Sequence, residues 1–204
     1  MNNFFKSKPV NVILRLIAKI WTSLNNAINR LLISKMRVSG ISDLEIDEVS
    51  FKMYSECDDG IVDALCLNKS NYVEIREIKL FKHFAENSNS ILDIGANTGL
   101  FSIVSQLKNP KAKVFSFEPY PVNKERLIRN LHLNNLTDVT IVEKAIGDSK
   151  KEVEFAVPSK NQICDALSVD IEFTNRFYKK WITYKNIKVE QITLDEYLSS
   201  IDMK

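Results

Sequence analysis

The residues best suited to chemistry sit in two short runs, Asp93-Ile94-Gly95-Ala96-Asn97-Thr98-Gly99 and Phe115-Ser116-Phe117-Glu118-Pro119. In the first, an apolar run from Ile91 ends in an acid and then in two glycines four apart, before a helical pattern opens at Leu100. In the second, an apolar run ends in a glutamate 19 residues after Gly99. Parallel α/β sheets build nucleoside pockets this way. Glycines stand where backbone must approach the ligand, and a carboxylate accepts two ribose hydroxyls in a charge-assisted pair.

The spacing selects among nucleoside ligands. A dinucleotide site needs Gly-x-Gly-x-x-Gly, so that backbone can touch a pyrophosphate. Counted from Gly95, the second glycine position holds Asn97 and the third holds Leu100. An asparagine side chain would crowd a pyrophosphate, whereas a ligand without phosphates needs no such contact. S-adenosylmethionine, a nucleoside joined to an amino acid through a sulfonium, is such a ligand. A nicotinamide-dinucleotide oxidoreductase is the remote alternative.

Other residues fall around the same crevice. Asp93 ends its strand, where a carboxylate can orient the glycine loop or receive the ammonium of a bound amino acid. Pro119 and Pro121 force an extended exit that keeps the Glu118 end of the strand open. Glu143-Lys144-Ala145-Ile146-Gly147-Asp148 closes a third apolar run. There the backbone should edge the adenine, and a small Ala145 leaves room for a flat ring.

Elements must hold these residues in place. Strand 90–94 leads to helix 100–108, strand 113–117 to helix 121–134, and strand 139–143 follows. Short apolar strands alternating with helices predict right-handed βαβ units and a parallel sheet. Upstream, Val49–Ser55, Asp58-Asp59-Gly60 and Ile61–Leu67 read as a hairpin, since Asp-Gly supplies the φ > 0 positions of a tight turn. Asn71, with Glu74 three residues on, reads as the cap of a helix to about Glu86. Its apolar positions Val73, Ile75, Ile78, Leu80, Phe81 and Phe84 predict a broad buried face. Downstream, Val153–Val157 and Ile187–Ile192 predict an antiparallel pair with a long connection, and Thr193 caps a short helix, Leu194–Ser200.

Composition fits an ordinary globular chain of 204 residues, 45% hydrophobic and 26% charged. Its net charge of +2 hides an asymmetry. Residues 1–42 carry seven basic residues and no acid, leaving 21 of the 28 basic and all 26 acidic residues to the remainder. Within 10–36, Val10, Ile13, Ile17, Ile20, Trp21, Leu24 and Ile28 recur at helical spacing, with Arg15, Lys19 and Arg30 opposite. Charge interrupts this run too often for a bilayer span, which needs about 20 mostly apolar residues. The expected division is therefore a basic amphipathic extension, 1–42, and a catalytic-type domain, 43–204. The extension is expected to pack on its own domain or to make a peripheral contact with an anionic membrane. No nucleic-acid partner is expected. Cys57, Cys66 and Cys164 show no metal-ligand spacing, and their odd number argues for reduced thiols in a cytoplasmic protein. His83 and His132 read as surface or packing residues, so no metal is expected.

Taken together, Asp93-Ile94-Gly95-Ala96-Asn97-Thr98-Gly99, Phe117-Glu118-Pro119, Ala145-Ile146-Gly147-Asp148 and Thr193-Leu194-Asp195-Glu196-Tyr197-Leu198 resemble the FkbM-type S-adenosylmethionine-dependent methyltransferases over about residues 49–200. The resemblance implies a Rossmann-like class I methyltransferase fold and O-methylation of a sugar or another small hydroxylated acceptor, such as a glycan or lipid-linked sugar. By it, Asp93, Gly95, Ala96, Asn97, Gly99, Glu118 and Pro119 contact the cofactor, with Glu143 and Ala145 near the adenine. It names no general base. In the family a strand of the form Lys-Ile-Asp-x-Glu-Gly follows the Leu-Asp-Glu-Tyr-Leu helix, with further strands after it, whereas this chain stops at Lys204. The expectation is the N-terminal half of the family sheet, with Ile91–Ile94 turned from a central strand into an edge and self-association through that edge. An inactive or binding-only fragment of such an enzyme is the alternative to an active one.

Overall fold

The structure is a computed structural model and describes residues 36–67, 74–159 and 183–201. Residues 10–35 of the amphipathic run, Asn71 and Cys164 lie outside those residues.

The described chain opens with an antiparallel hairpin of β1 (Ser39–Ile46) and β2 (Val49–Glu56). Its strands alternate, turning Ser42, Leu44 and Ile46 and then Phe51, Met53 and Ser55 inward. Ile46 pairs with Val49, so the turn is Asp47-Glu48, both at positive φ (45° and 70°). This corrects the hairpin expected over 49–67. The partner of β2 precedes it, and residues 60–66 form a helix, α1 (Gly60–Cys66). The physical reason is capping. Buried Asp59 accepts the amides of Ile61 and Val62 as an N-cap, the competing use of an aspartate before a glycine. β1 starts at Ser39 and so runs across the 42/43 division read from charge alone.

Helix α2 (Glu74–Ala85) packs on the next helix through Phe81, whose ring meets Phe101 edge-on at 5.0 Å. The broad apolar face expected for it is only partly buried. Ile78 is fully buried, while Leu80 and Phe84 are 59% and 63% exposed.

Three parallel strands follow: β3 (Ser90–Ile94), β4 (Lys113–Phe117) and β5 (Thr140–Val142), in the order β3-β4-β5. Helices α3 (Leu100–Lys108) and α4 (Pro121–Leu133) make the crossovers. Ile94 aligns with Phe117 and Phe117 with Val142, so all three strands end at one level. β4, flanked on both sides, buries Val114 through Phe117. β3 has one strand partner among the described residues.

A second sheet sits after β5. Strand β6 (Ala145–Ile146) runs parallel to β8 (Tyr184–Ile192), which pairs antiparallel with β7 (Lys151–Pro158), as expected for the two late strands. Helix α5 (Leu194–Ser200) opens on a full capping box between Thr193 and Glu196.

The main core lies between the hairpin, the helices α1 to α4 and one face of the parallel sheet, around Met53, Val62, Ile78, Ile103, Val104, Val114 and Leu127. On the other face, Phe115, Phe117 and Val142 meet Leu194 and Tyr197 of α5. A parallel sheet covered on both faces is the doubly wound α/β arrangement.

Candidate functional site

The site is built where the three parallel strands end. Beyond β3 the chain turns through Gly95 at φ +80°, Asn97 at φ +50° and Gly99 at φ +96°. The amides of Gly95 and Ala96 both donate to the Phe117 carbonyl at 2.9 Å, which ties the loop to the end of β4. The two glycines differ in what they face. Gly95 is exposed, and a Cβ there would meet nothing within 4 Å. Gly99 is buried as the N-cap of α3, and a Cβ would overlap Leu127 Cδ1. Close approach by a ligand therefore falls to Gly95, while Gly99 lets α3 and α4 come together.

Asp93 is buried and turned inward. Its carboxylate accepts Ser102 Oγ at 2.5 Å, and Ser102 Oγ lies 2.6 Å from Ser116 Oγ. Burial holds the Asp93 carboxyl above the usual carboxylate range, against the opposing bonds from Ser102. This bond ties Asp93 to the first turn of α3, the helix that follows the glycine loop.

Glu118 follows β4 and is 4% exposed. Its Oε2 accepts the Asn97 amide at 2.8 Å and its Oε1 accepts the Tyr120 amide at 2.9 Å. Burial pushes its carboxyl up to about 7, although the bonds from Tyr120, Asn97 and Asn123 favour the ion. Nearby Asp93 adds to the upward push. Each oxygen of Glu118 accepts one backbone amide, and the Asn123 side chain donates to the same carboxylate. A carboxylate offers about four acceptor positions, so Glu118 keeps capacity to accept a ligand hydroxyl beside an open Gly95.

The exit from β4 is extended as expected, but the Glu118 end of the strand is buried rather than open. Tyr120, between Pro119 and Pro121, is extended (φ −84°, ψ 116°), and Pro121 opens α4. Tyr120 itself is buried against Phe155, Val157 and Val189, a link to the second sheet. Glu143 follows β5 beside the Glu118 backbone, whose amide donates to the Val142 carbonyl at 3.0 Å. Its side chain is exposed and paired with Lys124 of α4. Ala145 pairs with Gln191 in the second sheet and packs, half-buried, against the Tyr120 group.

Three contributors escape a motif reading. Ser102 donates to Asp93, Ser116 pairs with the Ser102 hydroxyl, and Asn130 of α4 donates through Nδ2 to the Thr98 carbonyl at 2.8 Å. Ser102 lies at i+9 and Asn130 at i+37 from Asp93, so only the folded chain brings them to the loop. The spacing of Asn130 and Asn134 on one helix face was the available signal. Among the described residues no three His, Cys, Asp or Glu side chains gather as a metal site. No helix among them is long and apolar enough to cross a membrane.

The chain is similar to known proteins. Residues 93–203 match the family model described as the Methyltransferase FkbM domain. Methyltransferase sdnD of Sordaria araneosa is 53% identical over 60 residues, and Methyltransferase 1 of Beauveria bassiana is 32% identical over 57. The matched stretches cover 29% and 28% of this chain and 23% of each relative's length. Among solved structures, a SAM-dependent methyltransferase from Agrobacterium tumefaciens superposes with a TM-score of 0.40 at 15% identity, over 54% of this chain and 34% of its own. The precorrin-6y C5,15-methyltransferase of Geobacter metallireducens gives a TM-score of 0.32 at 15% identity, over 59% and 86%. The family match begins at Asp93 and runs through the glycine loop, Glu118 and the capped α5, over more than half of the sequence, and the chain belongs to the FkbM methyltransferase family.

Proposed function

We propose that the chain binds S-adenosylmethionine at the ends of β3, β4 and β5 and serves methyl transfer to a hydroxyl of a sugar or another small acceptor. The observation that carries the reading is Glu118: a buried carboxylate at the end of β4, fixed by the Asn97 and Tyr120 amides and the Asn123 side chain, with acceptor capacity left for a ligand hydroxyl beside the open face of Gly95. When bound, the cofactor supplies a methyl on a sulfonium leaving group. The chain's share is binding, alignment and exclusion of water. Gly95 admits the ligand to the backbone, Glu118 holds the ribose, Asp93 fixes the loop through Ser102, and Ala145 and the backbone at Glu143 edge the adenine. Family membership supports the transfer chemistry, and the preference for a hydroxylated acceptor rests on the sequence resemblance.

Calorimetric titration tests the reading. S-adenosylmethionine should bind the chain, and Glu118→Ala should weaken it by about 1.5–3 kcal/mol, the range for hydrogen bonds to a charged group. Unchanged affinity in the variant would remove Glu118 from the site. Transfer of a labelled methyl to a panel of sugars and non-sugar alcohols separates acceptor classes. The basic amphipathic pattern of residues 10–36 supports a further proposal on location, contact with an anionic lipid surface. Sedimentation with anionic but not neutral vesicles is the expected result, and equal partitioning refutes it.

A further inference from the structure

Helix α4 runs along the edge of β2 that β1 leaves unpaired, and it meets that edge with three side chains four residues apart. Asn134 pairs with Lys52 as a neighbouring strand would: its Oδ1 accepts the Lys52 amide at 2.7 Å and its Nδ2 donates to the Lys52 carbonyl at 2.8 Å. Arg126 donates to the Tyr54 carbonyl at 3.2 Å and pairs with Asp58. Asn130, between them, departs from the pattern. Its Oδ1 accepts the Tyr54 amide at 2.8 Å, but its Nδ2 leaves β2 and donates to the Thr98 carbonyl in the glycine loop. Asn130 is fully buried, so both bonds must be made within the protein.

That carbonyl belongs to the peptide between Thr98 and Gly99. The neighbouring residues, Asn97 and Gly99, both sit at positive φ. Such a turn relaxes most cheaply by flipping the peptide plane between them, because no side chain has to move. Here the plane is held at both ends. Asn130 takes the oxygen, and the Gly99 amide donates to the Ala96 carbonyl at 2.8 Å. In the same turn, the amide of the Ala96–Asn97 peptide points at Glu118.

We propose that Asn130 is a positioning residue for the cofactor site: it ties the glycine loop to the hairpin, and so sets the loop geometry in which Glu118 and Gly95 face one ligand. The proposal rests on the reading of that site as the cofactor pocket. Asn134 supplies the control, because it makes the same kind of staple to β2 and touches no part of the loop.

The test compares Asn130→Ala and Asn134→Ala in the full chain, by titration with S-adenosylmethionine and by amide hydrogen exchange without ligand. Asn130→Ala should weaken binding roughly tenfold, the equilibrium equivalent of one buried neutral hydrogen bond, and should speed exchange at Asn97 and Gly99. Asn134→Ala should lower the melting temperature and leave both readouts within about twofold. If the parent chain binds and both variants bind alike, Asn130 is a hairpin staple only and the proposal is wrong. If the parent chain does not bind S-adenosylmethionine, the reading of the pocket fails, and unchanged exchange at Asn97 and Gly99 would then overturn the positioning role separately. Should Asn130→Ala not fold, Asn130→Asp carries the same test, since it keeps the Tyr54 bond and sets a carboxylate against the Thr98 carbonyl.

Discussion

Glu118 joins two demands that pull against each other. Burial favours its protonated form, with a pKa pushed up to about 7, while hydroxyl donors bond more strongly to the ion. For folding the sign follows from the raised value. The contribution of Glu118 to stability is complete below the ordinary carboxylate range and is lost as pH rises through about 7. For binding the sign is opposite, because the ligand must draw the carboxyl to its ionised form. Affinity for S-adenosylmethionine should therefore be about tenfold weaker at pH 6 than at pH 8, and Glu118→Gln should flatten that dependence at uniformly weak binding. Calorimetry across this range checks both. The two glycines give a second contrast. Gly99→Ala combines positive φ with overlap on fully buried Leu127 and should cost about 2–4 kcal/mol of stability. Gly95→Ala meets open space, so its strain should be about 1–2 kcal/mol, and its larger effect should appear in ligand affinity. Thermal melts and titrations of the pair separate the roles.

At the scale of elements, legibility followed local chemistry. Ser90–Ile94, Leu100–Lys108 and Lys113–Phe117 are plain in the sequence because apolar strands alternate there with helical spacing and end on glycine or proline. The capped α5 was equally plain from Thr193 and Glu196. The hairpin was misplaced for a definite reason. Its real turn, Asp47-Glu48, holds positive φ without glycine or asparagine, while Asp59-Gly60 offers turn chemistry and is used to cap α1. Asp59 tests that account. Burial raises its pKa, so its charge costs stability as pH rises, while its oxygen caps α1. Asp59→Ala should cost about 1–2 kcal/mol through the lost cap. Asp59→Asn keeps an acceptor without the charge and should be less costly than Asp59→Ala, and because neither variant titrates at 59 the cost of both, measured against the parent, should shrink as pH rises. Melting temperatures of the two variants across pH decide it.

Across the molecule, the site depends on contacts that no single motif contains. Glu118 and Gly95 were legible because they sit at strand ends in register with one another. Their supports were not, because Ser102, Ser116 and Asn130 reach the loop only after the sheet has formed and α3 and α4 have packed on it. The second sheet enters through buried Tyr120, which stands two residues from Glu118 and packs on Phe155, Val157 and Val189. Ligand selectivity belongs to this scale too, since it reads the loop, β4 and their neighbours at once. The most direct measurement is a paired titration of the chain at pH 8 with S-adenosylmethionine and with a nicotinamide dinucleotide. The predicted result is saturable, one-to-one binding of S-adenosylmethionine that Glu118→Gln weakens, and no detectable binding of the dinucleotide. Binding of the dinucleotide with none of S-adenosylmethionine would contradict the assignment of the pocket.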